Sequence, residues 1–157
     1  MEAIKLILVP TDLSKAATEA FMYAAAIARQ FSAKVLVVHA MAALEPEDLG
    51  YPKQTPLYQI LEDFERMTIH HFKSTVTETD RVGVPVSAFA ARGKAVEVIL
   101  KAAELNQADL IVMATHGRSG LSHALMGSVT EAVMRQAHCP VLTIRVRPTA
   151  FAQPAAA

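Results

Sequence analysis

The sequence predicts an α/β doubly wound domain built on a mainly parallel sheet. Three observations carry this expectation. Apolar runs of strand length alternate with segments of helical periodicity along the chain. Several of those runs are apolar on both faces, as strands covered by helices on both sides must be. Proline, glycine and aspartate punctuate the changes of period. A chain of 157 residues is long enough for one domain with a sizeable core and too short for two comfortable ones.

Residues 4–9, IKLILV, read as the first strand, stopped by Pro10, Thr11 and Asp12. From Ser14 to Phe31 the period becomes helical, with Ala17, Ala20, Phe21, Ala24, Ile27, Ala28 and Phe31 on one face. Ser14 is placed to cap that helix. KVLVVH, residues 34–39, is the second strand. Residues 41–56 hold three prolines and a glycine and read as a long loop. A helix is expected from Leu57 to about Asp80, with Ile60, Leu61, Phe64, Met67 and Phe72 inward, ended by Gly83 and Pro85. VSAFA, residues 86–90, alternates more and belongs at a sheet edge. Gly93 precedes a helix with Val96, Ile99, Leu100 and Ala103 on one face. DLIVMA, residues 109–114, is the fourth strand; after a glycine-rich loop, Ser128 to Ala137 form a further helix, broken by Pro140. VLTIRV, residues 141–146, is the fifth strand. The tail 148–157 has no periodicity and is expected to be loose, leaving 1–147 as the domain.

Fifteen basic and fifteen acidic residues give zero formal net charge, with no basic run and no tryptophan. That balance argues against nucleic acid or an anionic membrane as a partner. A lone cysteine, Cys139, excludes an intrachain disulfide and fits a reducing compartment. No apolar stretch approaches ~18 residues, and the N-terminal MEAIKLILVPTD lacks the signal-peptide pattern. The expectation is a soluble, cytoplasmic protein.

In doubly wound folds ligands sit outside the carboxyl ends of the strands, where strand order reverses. Those ends are Pro10–Asp12, His39–Met41 and Ala114–Gly117. Of six glycines, three (Gly117, Gly120 and Gly127) fall within eleven residues just after the fourth strand. A loop that receives a phosphate needs bare backbone, and a following helix start supplies N–H groups and partial positive charge. Gly127-Ser128 sits at such a start. Ser128 and Glu131 also have capping-box spacing, so the serine's alternative role is to close its own helix. The two roles are compatible, since a helix start has several unpaired donors. Glu131 beside a phosphate would repel it.

Common nucleotide signatures are absent: Gly93-Lys94 is followed by Ala95 and lacks the upstream glycine of a P-loop, and no G-x-G-x-x-G follows a strand. There is no G-x-S-x-G elbow. Asp12 would hold a ribose hydroxyl or Mg²⁺, or else cap the helix near Ser14. His39 reads as a packed, hydrogen-bonded residue. His70 and His71 point apart on a helix, which is a poor metal site. His116, Arg118 and His123 are loop residues, of which Arg118 is the better phosphate partner by chemistry. Cys139 reads as a small packed residue, and Asp109 as a turn residue. No pair reads as nucleophile plus general base.

PTDLS at 10–14, VVHA at 37–40, and ATHGRSGL, GSVTEAVM and CPVLTIR toward the C-terminus resemble the universal stress protein family, over about residues 3–147. In its ATP-binding members the fourth strand leads into Gly, two residues, Gly, nine residues, Gly, then Ser or Thr. Here those places are Ala114, Gly117, Gly127 and Ser128. Alanine replaces the first glycine; because Ala114 continues the apolar strand, strand geometry is expected, with the methyl group narrowing the cleft. A positive φ there would instead cost roughly 1–2 kcal/mol.

The resemblance implies a five-stranded sheet of order 3-2-1-4-5 with helices on both faces, and a stress-response role. It also implies ATP above strands one and four. Pro10, Thr11 and Asp12 would meet the nucleoside, with Asp12 the candidate Mg²⁺ ligand. Ala40 would offer backbone to adenine, and Met113 and Ala114 would belong to the same site. Gly117, Arg118, Gly127, Ser128 and Val129 would hold the phosphates. The family pairs its last strands across a two-fold axis, which implies a homodimer through Val141, Leu142, Thr143, Ile144, Arg145 and Val146. The alternatives are a partner-binding dimer without ATP, a slow nucleotide hydrolase, and a cyclic nucleotide binder. Related adenylyl-transfer enzymes carry H-x-G-H or S-G-G-x-D-S after the first strand, and PTDLS is neither. Its protein partners are unknown.

Overall fold

The computed structural model describes residues 3–41, 83–115 and 127–145, with the single positions 56, 66, 67 and 70. Five strands form one parallel sheet: β1 (Leu6–Thr11), β2 (Lys34–Met41), β3 (Val86–Arg92), β4 (Leu110–Ala114) and β5 (Val141–Ile144), in the order β3-β2-β1-β4-β5. Three helices are described: α1 (Lys15–Phe31), α2 (Ala95–Leu105) and α3 (Ser128–Gln136). The expected doubly wound α/β class and strand order are both present.

The sheet separates two cores because successive side chains of a strand point to opposite faces. Ile7, Val9, Val35, Val37 and Val112 meet Ala20, Phe21, Ala24, Ala25 and Ala28 of α1 on one face. Leu8, Leu36, Val38, Ile111 and Met113 meet Ile99, Ala102 and Ala103 of α2 and Val133 of α3 on the other. Alanines dominate the inner face of α1, which lets the helix lie close on the sheet. Ser14 caps α1 as its sequence position suggests, its Oγ accepting the Ala17 N–H at 3.2 Å.

Three sequence expectations are corrected. Pro10 and Thr11 do not stop β1 but are its last two residues, in register with Val38 and His39 of β2. Phe31 leaves the core face and is 52% exposed, because it is the last residue of α1, immediately before left-handed Ser32. Val96 and Leu100, half-buried, pack against the second core together with Ile99 and Ala103, as expected. Met67 is 71% exposed; it shares a helical face with Arg66 and His70, also exposed, so that face is the outer one. The rest of the helix expected over 57–80 lies outside the described residues, as do Val146 and the tail; of the loop expected over 41–56, Met41 instead ends β2 and Pro56 is helical, and the residues between them lie outside the described ones. No helix among the described residues is long and apolar enough to cross a membrane.

Candidate functional site

The sheet parts between its two central strands. β1 stays in register with β2 as far as Thr11↔His39, but with β4 only over Ile7↔Leu110 and Leu8↔Ile111. The next rung of a parallel ladder would need an N–H from residue 10, and proline has none. Beyond Leu8 the ends of β1 and β4 therefore frame a crevice at the point where strand order reverses.

That crevice has a volume of about 390 Å³, within the usual range for small-molecule sites. Pro10, Thr11 and Asp12 form its β1 side, Ala40 its β2 side, and Met113 with Ala114 its β4 side. Gly127, Ser128 and Val129, at the start of α3, line it as well. The structure thus brings these nine sequence-predicted residues to one cavity, while Gly117 and Arg118 lie outside the described residues. Ala17, Val38, Ala95, Ile99 and Thr130 also line it, and the sequence reading does not name them as site residues. The signal for Thr130 was a hydroxyl on the inward face of an otherwise apolar stripe; for Ile99, only its place on the apolar face of α2.

The β1 side is a stiff turn. Thr11 Oγ1 accepts the Leu13 N–H at 3.1 Å, and Asp12 Oδ1 accepts the Ser14 N–H at 3.0 Å. Asp12 therefore supports the entry to α1 while also lining the crevice. Leu13 holds φ 65° between them. His39 is hydrogen-bonded, as expected: its Nδ1–H donates to the Thr11 carbonyl at 2.8 Å, which assigns the proton to that nitrogen because a carbonyl can only accept.

The β4 side is tied to the start of α3. Gly127 N–H donates to the Thr115 carbonyl at 2.8 Å, Thr130 Oγ1 to the Ala114 carbonyl at 2.9 Å, and Thr115 N–H to the Ile144 carbonyl at 3.0 Å. Thr130, 4% exposed, is the one buried polar side chain among the described residues, and this bond satisfies it. Ala114 ends β4 in strand geometry and is not among the described residues with positive φ.

The capping box expected at Ser128 and Glu131 is not formed. Gly127 is the N-cap, in an extended conformation, and Ser128 is already the first helical residue, so the serine does not hold the capping position. Glu131 instead pairs with Arg135 at 2.8 Å on the exposed side of α3. That pairing partly offsets the negative charge nearest the helix start. Ser128 itself is exposed, and the N–H groups of the first turn have no intrahelical acceptor. With the helix dipole they make this end of the crevice electropositive. Among the described lining residues Asp12 alone carries a charge, and it is negative.

Elsewhere, Cys139 is half-buried beside the second core, and burial pushes its thiol above the ordinary value, which suits a packed residue. Asp109 does more than turn the chain: its Oδ2 accepts the N–H groups of Lys5 and Leu6 at 2.7 and 2.9 Å. His70 is exposed on a helix, and no three His, Cys, Asp or Glu side chains gather as metal ligands among the described residues.

A parallel 3-2-1-4-5 sheet with a crevice where strands one and four separate defines a class of α/β binding domain that serves many chemistries. Comparison narrows the class. The profile of the Universal stress protein family matches residues 3–145, and the chain belongs to that family. It is 34% identical over 141 residues to Universal stress protein MJ0531 of Methanocaldococcus jannaschii, a match that spans 90% of this chain and 82% of that protein. Universal stress protein UspA from Lactobacillus plantarum has a similar structure, with a TM-score of 0.75 at 25% identity over 92% of this chain and all of that one. A universal stress protein crystallised in complex with cAMP matches with a TM-score of 0.59 at 25% identity, over 92% of this chain and 98% of its own.

Proposed function

We propose that this protein is a nucleotide-binding regulator whose ligand is ATP, held in the crevice between β1 and β4. The observation that carries the reading is the pairing of an apolar wall with a helix start, Gly127 to Val129, in the lining of one cavity. Val38, Ala40 and Ile99 suit a flat base; the N–H groups of Ser128 and Val129 suit phosphate oxygens, while Gly127, whose own N–H is held by the Thr115 carbonyl, leaves its Cα bare for their approach. Asp12, in the same lining, would take a ribose hydroxyl or Mg²⁺. Mg²⁺ is commonly held by one or two carboxylates together with the ligand's own phosphates, and a single lining carboxylate fits that pattern. The relative crystallised with cAMP supports a nucleotide in this fold and makes cyclic nucleotides the direct competitors.

On this reading the bound nucleotide acts by changing what the protein presents to partners; among the described lining residues no nucleophile and general base form a pair. Isothermal titration with ATP and Mg²⁺ should give one site per chain, with cAMP competing for it. No heat at millimolar ATP would leave the rival reading, a partner-binding protein with a closed cleft.

The reading includes a homodimer through the last strand. β5 is an edge strand bonded to β4 alone among the described strands, and Leu142 on it is 38% exposed. Such an edge invites pairing with a second copy. Sedimentation should give a dimer at micromolar concentration, and a monomer there would remove this part of the reading.

A further inference from the structure

We propose that His39 is a positioning residue for the nucleotide site, acting through Asp12; the inference rests on the nucleotide reading above. Thr11 is the last residue of β1, and its register partner across the sheet is His39. A parallel ladder with that register already gives the Thr11 carbonyl one donor from the β2 backbone. The His39 Nδ1–H, at 2.8 Å, is a second donor to the same oxygen. A carbonyl has two lone pairs, so two donors fix the plane of its peptide group. That peptide group is the Thr11–Asp12 link. Its orientation sets the direction in which residue 12 leaves the sheet.

On the other side, Asp12 Oδ1 is held by the Ser14 N–H, and Leu13 between them has a strained φ of 65°. A turn containing a left-handed leucine persists only where its surroundings over-determine it. The His39 bond supplies the restraint from the sheet side. The imidazole belongs to the β2 residue just before Ala40, and Ala40 lines the crevice, but His39 itself is not among the described lining residues. Its effect on a ligand is therefore indirect, through the carboxylate it helps to aim.

The test is a double-mutant cycle read by titration of the intact protein with ATP and Mg²⁺. His39→Phe keeps a ring of similar size and removes the donor. It should weaken binding about five- to tenfold. His39→Asn, whose amide N–H can replace Nδ1–H, should restore most of that loss. Asp12→Asn should weaken binding on its own. The decisive result is the double variant: if His39 acts through Asp12, it should bind no worse than Asp12→Asn alone. A general loosening of the domain would instead multiply the two penalties and would leave His39→Asn unrescued. Either multiplied penalties or unchanged affinity in His39→Phe overturns the proposal while the nucleotide reading stands. Failure of the unmodified protein to bind ATP overturns both, and the two failures are thus told apart.

Discussion

Leu13 is the residue under most backbone strain near the crevice. A leucine at φ 65° costs roughly 1–2 kcal/mol relative to a residue indifferent to that region. Nearly half exposed, the side chain recovers only part of that through burial. Leu13→Gly should relieve the strain, and the added freedom of the unfolded chain should offset part of the gain. The net expectation is a stabilisation of about 0.5–1 kcal/mol, read as a higher urea midpoint at unchanged slope. A lower midpoint would mean that Leu13 makes packing contacts worth more than its strain. Cys139 gives a second residue-scale expectation. Burial favours its neutral thiol, so alkylation by iodoacetamide at neutral pH should be slower than for a free cysteine. The sign for stability follows: the unfolded chain ionises its thiol first, so this contribution is lost as pH rises from the ordinary thiol value through the raised one. Alkylation as fast as that of a small thiol would contradict the burial that produces the shift.

Elements are joined here by single polar groups that periodicity cannot reveal. Asp109 is the clearest case. Its carboxylate takes two N–H groups at the entry to β1 from a position just before β4, 103 and 104 residues away in sequence. Asp109→Ala should cost about 2 kcal/mol, with Asp109→Asn losing less because one acceptor oxygen remains. Thermal unfolding would check both, and equal midpoints for all three proteins would dismiss the staple. The sequence named Asp109 a turn residue because nothing local to it indicates a partner so distant. Ser128 was misread for a different reason. Ser and Glu three apart specify a capping box only if the serine is the N-cap, and a one-residue shift of the helix start places Gly127 there instead. The apolar stripes were legible because burial repeats every second residue in a strand and about every 3.6 in a helix. Thr130 was not, since its role depends on where the Ala114 carbonyl ends up.

For the whole molecule, the alternation of strands and helices made the doubly wound class legible from residue types alone. The order of the strands came from the motifs of the resemblance, not from periodicity. What neither supplied was the reason the sheet opens where it does. Pro10 was read as a strand terminator; it lies within β1 and ends one ladder while the other continues. The crevice is, on this account, a consequence of one missing N–H at the centre of the sheet. Pro10→Ala tests it directly. The new N–H should bond across to β4 and extend the register to Val9 opposite Val112. One added hydrogen bond, about 1 kcal/mol, is offset by the greater freedom of the unfolded chain, about 0.4–1 kcal/mol. Stability should therefore change little. The amide of residue 10 should be protected from hydrogen exchange, and affinity for ATP should fall as the strand ends draw together. An amide that exchanges freely, with binding untouched, would show that the split of the sheet has another origin, such as the ties that hold α3 against the end of β4.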